Sequence, residues 1–382
     1  LYNISLMYLA APGRGASMEQ ELLINGERPF AEARYLIFHR TFGDGGPTLK
    51  DSLGNEIRPA QVEYPMGRTQ PLVDSRGYTQ EPFLFYLPQG PSAIRLVAHQ
   101  EPIVIERLLI GQVNQPSLYQ KVKESWPSQE TRGFLLKIQG EDALYRSHST
   151  LFAISDTGDP TMEPYHPAQI RLNSIGGWRF NQPGQWITWE FTVPKSGLYT
   201  IAFKAKQNIR RGISSNRKVL MDGEVPFAEL CAVEFPYSTR YYMKVLGHQN
   251  EPYLIYLTEG RHELTLEVVL GDQAALVQAV ETSLYELNSI YRRIIMVISP
   301  DPDPLRDYQL AERIPEVLVH MAEQAALLHD LADHLEEGTQ QRGGHMLTVR
   351  NLALQLESMA ATPESIQVRL EEYRDNLSAL GT

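Results

Sequence analysis

Leu1-Tyr2-Asn3-Ile4 pairs with Leu198-Tyr199-Thr200-Ile201, and Asn25-Gly26-Glu27-Arg28-Pro29-Phe30-Ala31-Glu32 pairs with Asp222-Gly223-Glu224-Val225-Pro226-Phe227-Ala228-Glu229, both 197 positions apart. A third block, Glu81–Leu87 with Gly90, pairs with Glu251–Leu257 with Gly260, now 170 positions apart. The chain is therefore two copies of one module rather than one enzyme-sized domain, and the first copy holds 27 more residues between its blocks. Ahead of Leu198 the second copy carries Trp186 to Gly197, whose counterpart would precede residue 1. The first copy is accordingly expected to be cut at its front, within a longer chain.

At 382 residues and 42% apolar, the chain can bury two or three cores. No apolar run approaches the about 18 residues of a membrane-spanning helix. The stretch Leu6 to Ala11 lacks a basic flank, so it does not read as a signal peptide. A net charge of −11 argues against nucleic acid, whose binders need a basic surface. The single cysteine, Cys231, lies in an apolar run and reads as a buried thiol, compatible with bacterial cytoplasm or a bacterial exterior alike.

Short alternating segments rich in β-branched and aromatic residues (Trp186–Val193, Leu198–Lys204, Lys218–Met221, Tyr253–Leu257, His262–Val269) predict an antiparallel sandwich of the jelly-roll kind. Asn25-Gly26 and Asp222-Gly223 predict two-residue hairpin turns, which need positive φ at both central positions. After Gly271 the period becomes helical, with Asp272 placed to cap a first helix. Ile294–Ser299 again reads as a strand. A second helix is expected from Leu305 to Glu337 with a bend at Pro315, a third over Leu347–Ala360, and a fourth opened by Thr362 and Pro363. The expected fold class is mainly β with α: two tandem jelly-roll modules, 1–127 and 133–271 with 293–300, and a helical bundle of 272–292 and 303–382.

Nucleophile elbows, zinc helices and phosphate loops are absent from the sequence, and carboxylate pairs such as Asp301/Asp303 or Glu336/Glu337 are ordinary in an acidic chain. Aromatic residues are more informative. Trp178 sits in a Gly-rich stretch with Arg171, Asn173, Arg179 and Asn181 nearby, the combination a sugar surface needs: rings for apolar C–H faces, polar groups for hydroxyls. Trp186, Trp189 and Phe191 read instead as one strand face and mainly as core. Tyr241-Tyr242 is expected to face the long insertion of the first copy, Gly43 to Gln80, which holds Tyr64, Tyr78, Arg58 and many acidic groups; the insertion reads equally as functional loop or as solvated lid. His166, His248 and His262 show no ligand spacing. Oxygens for calcium could come from Glu141-Asp142 or Asp156/Asp159, although solvated loop carboxylates are the favoured reading of these residues.

Lys137-Ile138-Gln139-Gly140-Glu141-Asp142-Ala143, with Pro183-Gly184-Gln185-Trp186 and Gly197-Leu198-Tyr199, resembles β-sandwich carbohydrate-binding modules whose opening strand carries an acidic-Ala motif. Together with Leu172–Gly177, the Met221–Phe227 hairpin, Tyr291–Met296 and Pro302–Leu310, nearly the whole chain resembles the N-terminal half of large extracellular solute-binding proteins of Paenibacillus-like Gram-positive bacteria. The resemblance implies a non-catalytic, cell-surface region that captures oligo- or polysaccharide, joined to a receptor domain that hands solute to an ABC permease. It also implies a structural calcium site at Glu141, although Gly140 departs from the usual alanine. Two rival expectations are a spacer, whose bundle leaves an apolar face along Leu310, Ile314, Val317 and Leu318 open for a partner, and a polysaccharide-cleaving enzyme with two convergent carboxylates.

Overall fold

The computed structural model describes all residues except 129–130, 132, 210, 250, 339–343 and 382. They form two compact units, 1–206 with 215–271, and 207–214 with 272–382. Both β repeats lie in the first unit.

The repeats agree down to register. In repeat one the strands run Leu36–Phe38, Met18–Ile24, Ile94–Gln100 across the sheet; in repeat two Val233–Phe235, Ser215–Met221, Gly260–Val269 run in the same order. Leu22 pairs with Leu96 and Ile24 with Ile94, as Val219 pairs with Leu266 and Met221 with Leu264. The expected turns form, with Asn25 and Asp222 both at φ 53°. Each side chain accepts a hydrogen bond across the sheet at 2.8 Å, Asn25 Oδ1 from the Ala93 N–H and Asp222 Oδ1 from the Glu263 N–H, which pins the turn to the neighbouring strand. In repeat one a second sheet, Ile103–Gly111 beside Asn3–Ala10 beside Arg68–Pro71, closes over a core of Ile4, Leu6, Tyr8, Met18, Leu22, Phe38 and Phe85.

Repeat two differs by what is added beside Gly260–Val269. Trp186–Val193 pairs there over eight positions, and the sheet continues through Tyr145–Arg146 into Phe42–Asp44 and Gln61–Glu63, which belong to the insertion of repeat one. Trp186 to Trp189 are therefore buried on both faces of a central strand, so the expected single core face is corrected: Trp189 donates from Nε1 to the Gly140 carbonyl at 2.9 Å, whereas Trp186 lies under the Arg68 guanidinium at 3.7 Å. The seam between the repeats is polar and buried. Arg146 donates to Asp44, Gln61 and the Ala143 carbonyl. Next to it the His39 and His148 rings stand 5.0 Å apart, with the Ser17 hydroxyl within 3.3 Å of both. Burial, and then the neighbouring His148 and Arg68, push His39 down to about 3.

Residues 112–127 link the two repeats and contain helix α1, Tyr119–Ser125. Its Tyr119, with Val122 and Trp126, joins the core of repeat two. The second unit holds α2 (Ala274–Ile298), a short α3 (Leu310–Arg313), α4 (Pro315–Gly338), α5 (Gly344–Ala361) and α6 (Ile366–Leu380). The strand expected at Ile294–Ser299 is corrected: these residues end α2, because Leu287, Ile290, Ile294 and Ile298 continue one helical stripe into the bundle core. The break at Pro315 begins α4, since a proline tolerates the first helical turn but not the interior. Leu310, Ile314 and Val317 are buried in that core, so the open apolar face expected of a spacer is closed. No described helix is long and apolar enough to cross a membrane.

Candidate functional site

The segment Arg171–Arg179 of repeat two is the spine on which most of the expected residues meet. Its N-terminal part is gripped by the hairpin Leu49–Ile57 from the insertion of repeat one. The Glu56 N–H donates to the Ile170 carbonyl at 3.0 Å, the Ile170 N–H to Asn55 Oδ1 at 2.9 Å, and the Leu172 N–H to Glu56 Oε2 at 2.8 Å. Arg171 belongs to this grip, donating to the Gly54 carbonyl at 2.7 Å with Glu56 at 3.6 Å, so its charge is spent within the protein. The front of the insertion is thus a buttress for the second repeat, while its later strand, Arg68–Pro71, completes the second sheet of repeat one.

Asn173 is buried and fully committed, contrary to its expected place on a ligand surface. Its amide donates to the carbonyls of Asp156 and Pro164, and its oxygen accepts from the Asp156 N–H. Those three bonds fix the 156–164 loop, which suits an amide able to donate and accept at once. Ser174 follows, with its hydroxyl 3.3 Å from the Tyr241 phenol. Tyr241 donates to Asp156 Oδ2 at 3.0 Å and lies 4.5 Å under the Lys206 ammonium, which also pairs with Asp156. It faces this network rather than the insertion. Burial, and then the Asp156 carboxylate, push the phenol up to about 12. Burial opposes ionisation of Asp156, but Lys206, the Gly158 N–H and the Tyr241 hydroxyl hold its carboxyl below the usual range. The Asp156 and Asp159 oxygens expected for calcium are already engaged, the latter by Thr161.

Gly176 and Gly177, at φ 89° and 58°, then turn the chain outward. The turn presents Trp178, which is 64% exposed. Arg179 stacks 4.5 Å from the Trp178 ring and 4.7 Å from Phe152, and Arg58 of the insertion lies 3.4 Å over the same Phe152 ring. Among the described residues neither guanidinium has a hydrogen-bond or ion-pair partner. The result is an aromatic and cationic ladder, Trp178-Arg179-Phe152-Arg58, built by both repeats, with Arg58 exposed and Arg179 half-buried. Phe152 carried no signal in sequence: it sits between Leu151 and Ala153 and reads as strand core. Asn181 is held through its backbone, whose N–H donates to Gln185 Oε1.

The other expected residues lie away from this ladder. The Tyr242 hydroxyl donates to the Pro236 carbonyl, because neighbours along a strand point to opposite faces. Tyr64 packs edge-on against Tyr145 and donates to the Asp44 carbonyl. The Tyr78 N–H is held by Asp74 in a turn.

Glu141 has a buried carboxylate oxygen, Oε2, without a hydrogen-bond partner. Burial, then repulsion from Asp142 and Glu56, push this carboxyl up to about 7. An orphaned oxygen amid acidic neighbours fits a hard cation. No group of three or more His, Cys, Asp or Glu side chains converges among the described residues, so calcium here would draw its remaining oxygens from carbonyls and water.

Among solved structures, similar ones include a cycloisomaltooligosaccharide glucanotransferase of a Paenibacillus species, 18% identical over 37% of this chain and 17% of that one, with a TM-score of 0.27. A family 35 carbohydrate-binding module from Clostridium thermocellum is 14% identical over 35% of this chain and 85% of that one, with a TM-score of 0.26. Another module of that family, from an environmental isolate, is 14% identical over 31% and 72%, at 0.20. No curated protein matches. Residues 275–378, from the start of α2 almost to the end of α6, match the family of the bacterial solute-binding protein 4-helix bundle domain.

Proposed function

We propose that this chain is the non-catalytic, carbohydrate-binding region of an extracellular solute-binding protein, with a receptor domain and an ABC permease as its partners in transport. The bundle match supports the solute-binding reading. The observation that carries the carbohydrate reading is Trp178: a largely exposed indole on a loop anchored by the Asn173 and Glu56 bonds, beside the Arg179 guanidinium, with that of Arg58 on the neighbouring Phe152 ring. An exposed ring offers its face to the C–H side of a pyranose, and cationic donors make charge-assisted bonds to hydroxyl oxygens. Preorganisation matters because a flexible loop would lose affinity to ordering entropy. Calcium at Glu141 would act structurally, fixing the Gly140–Asp142 turn on which Trp189 is anchored.

Affinity electrophoresis on plant and microbial polysaccharides tests this reading. Retention by the wild-type protein is expected to disappear in Trp178→Ala and to weaken in Arg179→Ala, with chelation reducing it indirectly through Glu141. Equal retention of wild type, Trp178→Ala and Tyr241→Ala moves the site elsewhere, and a folded protein retained by no polysaccharide overturns the carbohydrate reading.

A further inference from the structure

Helix α1 enters repeat two through a socket that repeat one also possesses. In repeat two the Ala228 N–H donates to the Ser117 carbonyl at 2.9 Å, the Tyr119 N–H donates to Glu229 Oε2 at 2.9 Å, and the Leu254 N–H donates to the Tyr119 hydroxyl at 2.9 Å. The Tyr119 ring lies 4.9 Å from Phe227 and 4.6 Å from Tyr253. Each receiving group has a counterpart in repeat one: Phe30, Ala31, Glu32, Phe83 and Leu84 stand where Phe227, Ala228, Glu229, Tyr253 and Leu254 stand in repeat two.

The counterparts are already in the receiving conformation. Phe30 has φ −162° and ψ 167°, Phe227 φ −161° and ψ 164°, and each opens a 3-10 turn that presents the alanine N–H and the glutamate. Phe30 and Phe83 lie 4.8 Å apart, tilted at 58°, and Phe227 and Tyr253 lie 5.0 Å apart, edge-on at 73°. What differs is occupancy. Phe227 is fully buried whereas Phe30 is half-buried, Ala31 and Glu32 are exposed, and Leu84 is 56% exposed. Among the described residues, the Ala31 N–H, the Leu84 N–H and the Glu32 carboxylate have no partner.

We propose that this face of repeat one is a docking socket for a polypeptide segment of the same chemistry as residues 117–126. Such a segment supplies a serine-position carbonyl to the Ala31 N–H and a phenol ring to Phe30 and Phe83. Its hydroxyl accepts from the Leu84 N–H, and the first N–H of its short helix meets the Glu32 carboxylate. The specificity lies in the spacing: the carbonyl and the phenol are two residues apart in Ser117-Leu118-Tyr119, and only a chain that turns into a helix at the phenol presents its N–H to the acid.

The probe is a synthetic peptide of residues 115–127, titrated at millimolar concentration into isotope-labelled protein while amide resonances are followed. Shifts centred on Ala31, Glu32 and Leu84 are expected, absent with a Tyr119→Ala peptide and weakened about fivefold in the Glu32→Gln protein, the size of a lost helix cap. As a second measurement, the same segment is joined ahead of Leu1 through a flexible linker, which keeps it at millimolar effective concentration. Slowed hydrogen exchange at the Ala31 and Leu84 amides supports the socket. Unchanged exchange in the tethered form, or shifts that a scrambled peptide reproduces, overturns it.

Discussion

Repeat two carries α1 against Phe227 and Tyr253 and the strand Trp186–Val193 beside Gly260–Val269; repeat one presents the same turn, the same 3-10 geometry and the same strand register, and carries neither neighbour. The difference separates two kinds of information. Turn and register are local properties, set by Asn25-Gly26 or Asp222-Gly223 and by alternation, and they form alike in both copies. Burial depends on what arrives from elsewhere in the chain. Repeat one gives as well as lacks, for its insertion extends the sheet of repeat two and buttresses the Trp178 loop.

Removing the occupant tests this comparison most severely. Tyr119→Ala is expected to cost about 3–5 kcal/mol, the range for a buried aromatic, whereas Phe30→Ala in the unfilled socket costs about 1 kcal/mol because its ring is only half-buried. Urea unfolding midpoints check both, and equal losses would dissolve the distinction between filled and open sockets.

Acid probes the seam where the repeats meet. The folded protein holds His39 near 3 while the unfolded chain titrates near the ordinary imidazole value, so the unfolded state binds the extra proton. Stability is therefore full above the unfolded value and falls as pH drops from about 6.5 toward 3. By pH 5 the loss is on the order of 2 kcal/mol, at about 1.4 kcal/mol per pH unit. The charged and polar groups around it are His148, whose imidazole is also lowered by burial, Arg68 and Tyr8, with Glu263 and Glu267 acting on Arg68. A series of thermal melts should show this slope, and His39→Gln should flatten it.

The acid that receives α1 makes a gentler contrast. Glu229→Gln is expected to cost about 1 kcal/mol, as a lost helix cap does, and Glu32→Gln to fall within about 0.5 kcal/mol. Chemical denaturation at neutral pH reads both, and an equal cost would mean that Glu32 already has an occupant.

A pH effect of opposite sign, weakened by the half-exposed position of the side chain, comes from Glu141. Its folded value is raised to about 7, so its contribution runs opposite to that of His39: stability is present below about 4.5 and lost as pH rises through 7. Glu141→Gln should remove that loss, giving a slightly higher melting temperature at pH 8 than wild type in chelator. Added calcium should raise the wild type alone, and no calcium response in either protein would overturn the metal reading and leave Glu141 as a half-buried carboxyl held above its usual range by burial.

Much of the architecture was legible in residue order. Both hairpins, the sandwich alternation and the helical bundle follow from periodicity and turn chemistry, and Trp178 stood out as a tryptophan in a Gly-rich loop with polar side chains nearby. Other readings failed for identifiable reasons. Ile294–Ile298 is β-branched and reads as a strand, yet its spacing from Leu287 and Ile290 extends a helix, and packing in the bundle outweighs propensity. Trp186 reads as part of one core face with Trp189, but residues three positions apart on a strand point to opposite sides, and here both sides are covered. Asn173 looked like a surface amide until the 156–164 loop closed over it.

Residue order by itself determined that there are two copies of one module followed by helices, because repeat blocks, turns and periodicity are properties of neighbours along the chain. Only the tertiary structure decided that Arg58 meets Arg179 across Phe152, that the insertion of one repeat holds the site of the other, and that Glu32 waits where Glu229 is engaged. Those outcomes depend on contacts between residues up to about a hundred or more positions apart, whose geometry is set by the packing of whole sheets and is not encoded in any local stretch.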